Sequence, residues 1–209
     1  MPLPLSMPLS TRPARFTGAI IALTLSLVAG SAAQAASPSR DVVPAGALED
    51  RAVAATLPQV ERYILTVTNC IRTGGTVRAD GTCSGRGSGA NGGYRAPLIL
   101  SRIASDRVAR PYSKLLVSLG ECNHWFDGSP DYRLRRGGIS FSNYGENIGC
   151  RDNDNPFHSV RDSYLNFQSE KSYNGWHWRN IKNPSLTHVG IGIWKVGNRI
   201  RFTTDFYRP

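Results

Sequence analysis

The stretch Val189-Gly190-Ile191-Gly192-Ile193-Trp194 constrains this chain more than any other. Its period-two alternation is that of a strand, with Val189, Ile191 and Ile193 on one face and two absent side chains on the other. Glycine weakens a strand through lost entropy and lost packing, so something must approach the bare face closely. That can be another element of the same domain. It can also be the floor of a cleft, with His177 at its rim, because Trp176-His177-Trp178 sets two indoles around a histidine just upstream. The strand finds a partner after a turn at Gly197-Asn198, where Ile200 to Tyr207 completes a hairpin.

Helices precede that hairpin. Pro58 opens a helix carrying Val60, Ile64, Val67 and Ile71 at helical spacing and stopping at Gly74-Gly75. Residues 74–95 are too rich in glycine for regular structure and read as a surface loop; no P-loop lysine-serine pair or dinucleotide spacing accompanies them. A second helix spans Ser101 to Leu119, with Pro111 starting a new segment or kinking it. Residues 129–145 read as polar turns, and Asn143 to Cys150 as a short stretch flanked by glycines. Asn155 as N-cap and Pro156 as first residue begin a third helix, with Phe157, Val160, Tyr164 and Phe167 as its buried stripe. Helices first and an antiparallel hairpin last give an α+β domain.

The chain of 209 residues opens with Arg12 and Arg15, an apolar run from Phe16 to Gly30, and Ala33-Gln34-Ala35. This is the pattern of a signal peptide over residues 1–35, followed by a lead-in over 36–57 and one domain over 58–209. Secretion without a permanent membrane span follows from that reading, and a monomer is expected. Four cysteines in an exported chain make two disulfides, with three possible connectivities. We expect Cys70–Cys83, stapling the glycine-rich loop, and Cys122–Cys150, joining the neighbourhoods of His124 and Glu146. The cysteines lack the paired C-x-x-C spacing of a zinc site. A net charge of +10 reads as a solvated basic surface, with one cluster at Arg133, Arg135 and Arg136.

Four side chains stand at element ends or in short loops, where function concentrates: His124, Glu146, Glu170 and His177. We place Trp176, Asn147 and His188 with them as residues lining a cleft, and leave His158 on the surface. The chain from about Val60 to Tyr207 resembles the CAP superfamily (cysteine-rich secretory proteins, antigen 5, pathogenesis-related 1) in its bacterial secreted, SCP-like form. Carrying the resemblance are Asn69-x-x-Arg72, Ala96-Pro97-Leu98, His124 with Asp127-Gly128, Gly145-Glu146-Asn147-Ile148, and His177-x-x-Asn180-Ile181 leading to Thr187-His188-Val189-Gly190-Ile191-Gly192.

The resemblance implies a three-layer α-β-α sandwich with a central cleft. It also implies a tetrad of His124, Glu146, Glu170 and His177, which in some members holds zinc or another divalent cation. The segment before His177 is closer to the plant and animal pattern than to the bacterial Ser-x-Gly-His, and Trp178 stands where arginine is commoner. Two carboxylates converging in a cleft repel each other, and neutral imidazoles do not compensate. Such a cluster wants protonated histidines or a cation, and nitrogen and oxygen donors suit zinc.

Three functions follow as expectations. The first is a non-catalytic binding module for a small molecule, lipid, peptide or cell-wall polymer, since no clear nucleophile is present. The second is a metal-dependent hydrolase using the same His/Glu cluster. The third is an envelope binder of anionic surfaces through Arg133, Arg135 and Arg136. An exported chain without stacked aromatics or groove-reading motifs is not expected to bind nucleic acid.

Overall fold

The computed structural model describes residues 57–209; the expected signal peptide and the lead-in up to residue 56 lie outside the described residues. Helix α1 (Leu57–Arg72) forms where the apolar spacing places it, and Val60, Ile64, Val67 and Ile71 are all fully or almost fully buried. The glycine-rich segment is not wholly irregular. It contains a two-stranded ladder, β1 (Thr76–Val77) with β2 (Cys83–Ser84), stapled to α1 by the Cys70–Cys83 disulfide.

After β3 (Ile99–Leu100) comes one long helical run broken in its middle: α2 (Arg102–Ala104), a π-helical turn (Ser105–Ala109) and α3 (Arg110–Leu119). The expected break at Pro111 takes this form. Proline has no N–H for the ladder and crowds the carbonyl four residues back, and a widened turn absorbs the mismatch. Residues 129–145, read as turns, instead hold α4 (Pro130–Arg136) and open β4 (Asn143–Asp152). Helix α5 (Pro156–Ser169) starts as expected, with the Asn155 side chain accepting from the Phe157 N–H. A 3-10 turn (Glu170–Tyr173), helix α6 (Trp176–Lys182) and the hairpin β5 (His188–Val196) and β6 (Arg199–Arg208) complete the chain.

The main sheet has four strands in the order β3-β5-β6-β4, with β3 parallel to β5 and the other pairs antiparallel. One face gathers Val189, Ile191 and Ile193 with Ile200, Phe202 and Phe206, and buries them against α1 and α5 in the largest core cluster. The opposite face receives the broken helix. A Cβ on Gly190 would stand 2.6 Å from the Ala104 Cβ, and one on Gly192 would stand 2.2 Å from the Arg110 backbone nitrogen. The bare face of the glycine strand is therefore a helix seat and not a cleft floor. Ser113 uses the close approach, its Oγ donating to the Gly192 carbonyl at 2.9 Å. Ser105 closes the sheet beyond the short β3 by accepting from the Ile191 N–H at 2.8 Å. The result is an α-β-α sandwich, as expected. Among the described residues, no helix is long and apolar enough to cross a membrane.

Candidate functional site

Strand β4 forms one edge of the sheet, and alternation along it sends Glu146 to the α3 side and Asn147 to the α5 side. The four residues expected as a tetrad form two His–Glu pairs, the first on Glu146 itself and the second joined to β4 through Asn147.

In the first pair, the buried Glu146 takes the His124 Nδ1 at 2.8 Å on Oε1 and the Arg133 guanidinium at 2.5 Å on Oε2. Arg133 is only 2% exposed. It also donates to the carbonyls of His124, Phe126 and Gly128, and lies with Cζ 3.4 Å from the centre of the Tyr112 ring. Arg133 thus holds both the carboxylate and the loop that carries the histidine. The Cys122–Cys150 disulfide ties that loop to β4 a second time, with Cα atoms 5.9 Å apart. The basic cluster read as a solvated patch is dismantled by the structure. Arg133 is internal, Arg136 pairs with Asp127, and Arg135 stacks on Phe141. An anionic-surface site built on all three residues is not what the fold presents.

Below Glu146 lies Asp205, its partner in the β4–β6 ladder, which is fully buried. Burial raises its pKa well above the usual carboxyl value, and the adjacent Glu146 raises it further, while Arg133 opposes both. Neither Asp205 oxygen accepts an N–H or O–H from another group. The arrangement closes when Asp205 carries the proton and donates it to Glu146, which leaves Glu146 as the charged partner of Arg133.

In the second pair, Glu170 sits in the 3-10 turn, 6% exposed. Its Oε1 meets the His177 Nδ1 at 2.5 Å, and its Oε2 accepts from the backbone N–H of His177 at 2.9 Å and of Trp178 at 3.3 Å. Glu170 therefore caps α6 as well as orienting its histidine. The His177 ring stacks on Phe167 at 4.1 Å with planes 12° apart. Asn147 and Asn180 join the two halves. The Asn147 amide donates to the His177 carbonyl at 3.1 Å, and the Asn180 amide donates to the Glu146 carbonyl at 3.0 Å and to the Asn147 Oδ1 at 2.8 Å.

The electrostatic need inferred from the sequence, a cation or protonated histidines to separate two carboxylates, is thus met by other means. Glu146 has Arg133 and Glu170 has two backbone N–H groups. Among the described residues, no group of three or more His, Cys, Asp or Glu side chains is gathered as a preformed metal cage. The donors left to a cation are the Nε2 atoms of His124 and His177, each with a carboxylate behind it. That is the usual second-sphere support of a metal-binding imidazole, so the chemistry of the pairs fits a divalent ion.

Trp176 is 72% exposed with Arg179 stacked on it at 4.3 Å, and Trp125, next to His124, is 69% exposed. Each histidine thus has an exposed indole beside it in sequence. His188 stands with Thr187 and Tyr207 at the start of β5, its ring 5.4 Å from the tyrosine ring. On sequence alone, Arg133 reads as part of a basic surface cluster away from this site, and Asp205, Tyr112 and Trp125 take no part in it. The signal for Arg133 was present: Ser129-Pro130 is the same cap-and-proline start as Asn155-Pro156, and Pro130, Arg133, Leu134 and Gly137 follow at buried helical spacing.

No family model and no curated protein matches the chain. Solved structures do. A Bacillus anthracis extracellular protein containing an SCP domain aligns with a TM-score of 0.51 at 22% identity, over 73% of this chain and 41% of that one. A cysteine-rich secretory protein from Staphylococcus aureus gives 0.46 at 12% identity, over 75% of this chain and 41% of that one. The venom allergen-like protein 4 of Schistosoma mansoni gives 0.49 at 11% identity, over 72% and 88%. This chain spans less than half the length of the two bacterial proteins. It has the α+β fold of the SCP domain, the fold of the CAP superfamily.

Proposed function

We propose that this is a secreted protein of the CAP superfamily whose cleft binds a ligand without transforming it, and that His124 and His177 hold a divalent cation there through Nε2. The carrying observation is that both Nδ1 atoms are engaged by buried carboxylates, at 2.8 Å and 2.5 Å. A carboxylate can only accept, so in the neutral ring Nδ1 bears the hydrogen and Nε2 the lone pair. Imidazole nitrogen donors favour zinc. When bound, the cation supplies a Lewis-acidic anchor for a ligand oxygen. Trp125 and Trp176 add apolar faces with polar edges, suited to a small molecule, lipid, peptide or wall polymer. Secretion rests on the signal-like leader and on two disulfides, which persist in oxidising compartments.

Calorimetric titration with zinc, calcium and magnesium tests the reading, on wild type and on a His124→Ala/His177→Ala double variant. We expect saturable zinc binding that the double variant loses while staying folded. Equal binding by the double variant would refute the site. Arrays of lipids, peptides and wall polymers then test ligand binding. A ligand recovered as cleaved product, with cleavage lost in the double variant, would overturn the non-catalytic part and favour hydrolysis.

A further inference from the structure

Away from both His–Glu pairs, the junction of the glycine-rich segment with the chain before β5 forms a half-open pocket of about 290 Å³. Arg72 and Arg95 line it, with Tyr94, Pro97, Pro184 and Thr187 as further walls. The charge here is one-sided. Arg72, 2% exposed, spends its guanidinium on the carbonyls of Ala96, Ile181, Asn183 and Leu186. Close by, the Lys182 ammonium donates to the carbonyls of Ile71, Arg72, Asn91 and Gly93. Arg95 gives one N–H to its neighbour's carbonyl, Tyr94 O, while its Nε is buried with no acceptor. None of these three cations joins an ion pair with a carboxylate among the described residues.

Carbonyl dipoles solvate such charges without neutralising them, so mutual repulsion remains. Burial first and Arg95 second lower the Arg72 pKa to about 10, and burial followed by Arg95, Arg72 and Lys171 lowers that of Lys182 to about 8.

We propose that this pocket is a carboxylate-binding site, in which the terminal guanidinium N–H groups of Arg95 not used by the Tyr94 carbonyl receive the carboxylate of a ligand with a small apolar body. A planar two-oxygen anion matches one guanidinium edge. A phosphate, with more acceptor oxygens to satisfy, would find few further donors among Tyr94, Pro97 and Pro184. These walls offer carbon to the apolar part instead. The carboxylate can belong to a free organic acid or to the C-terminus of a peptide.

The test is a ¹H–¹⁵N NMR titration of the full chain with isobutyrate, its neutral amide isobutyramide, inorganic phosphate, and acetyl-trialanine as free acid and as C-terminal amide. We expect saturable shifts at residues 94–97, 184 and 187 with at least one of the two carboxylates, and none with either amide or with phosphate. Isobutyrate alone would identify a free acid, and acetyl-trialanine alone a peptide end. Arg95→Gln should weaken that binding by about tenfold or more, the scale of one charge-assisted contact, while Arg151→Gln at a distant exposed site should not. Amides binding as well as acids, phosphate producing the same shifts, or an Arg95→Gln affinity equal to wild type would each overturn the proposal. Should Arg95→Gln fail to fold, the comparison of acid with amide on the wild type decides alone.

Discussion

Arg133 is the residue on which the first His–Glu pair depends. It is a buried cation whose removal leaves the Glu146 carboxylate without its charged partner and the His124 loop without three hydrogen bonds. Breaking one side of such a pair typically costs about 3–5 kcal/mol. We therefore expect Arg133→Met to lower stability by that amount in denaturant unfolding. Asp205 makes the opposite prediction. Its folded-state pKa is raised above the ordinary carboxyl value of 3.8. The folded chain keeps a proton that the unfolded chain gives up, so this group's contribution is whole below that value and is lost as pH rises through the folded pKa. Asp205→Asn keeps a donor toward Glu146 and cannot ionise. Its melting temperature should match wild type near pH 4 and exceed it increasingly at higher pH. An unchanging difference across that range would contradict the assignment of the proton to Asp205.

At the scale of elements, the π turn and the two glycines of β5 form one device. The helix backbone lies where side chains of Gly190 and Gly192 would be. Gly192→Ala should cost about 3 kcal/mol, the upper end for overpacking, in thermal or denaturant unfolding, because the clash is with backbone and not with a flexible side chain. The Cys122–Cys150 link closes a separation of 28 residues, worth about 3.5 kcal/mol on the chain-entropy model. A Cys122→Ser/Cys150→Ser variant should lose about that much stability and bind zinc more weakly, since the His124 loop loses one of its two ties.

Elements with clean periodicity were legible in the sequence: α1, α5 and the β5–β6 hairpin follow from spacing and caps alone. Strand β4 was not, because Gly145, Glu146, Asn147 and Gly149 have poor strand propensity, and the pairing with β6 that stabilises them is non-local. Helix α6 was hidden for a related reason. Trp178, Ile181 and Lys182 are its buried positions, and a buried lysine does not advertise a core face. His124, Glu146, Glu170 and His177 were expected together, but their grouping as two pairs depends on Arg133 and on backbone N–H groups. Sequence carries no mark of where those groups point.

For the whole molecule, two core layers on opposite faces of one sheet make β5 and β6 the best-protected strands, since they alone are flanked on both sides within the sheet. Hydrogen exchange should be slowest there and faster toward the edge strands. The fold thus places a rigid sheet behind both histidines and exposed indoles beside them. The central claim is that the two carboxylates orient both rings so that Nε2 is the binding nitrogen. Long-range ¹H–¹⁵N NMR of the histidine rings measures this directly, at a pH where the rings are neutral. We predict the Nδ1–H form for both His124 and His177, and a shift of both Nε2 resonances when zinc is added. The Nε2–H form in either ring, or zinc shifts at Nδ1, would contradict it.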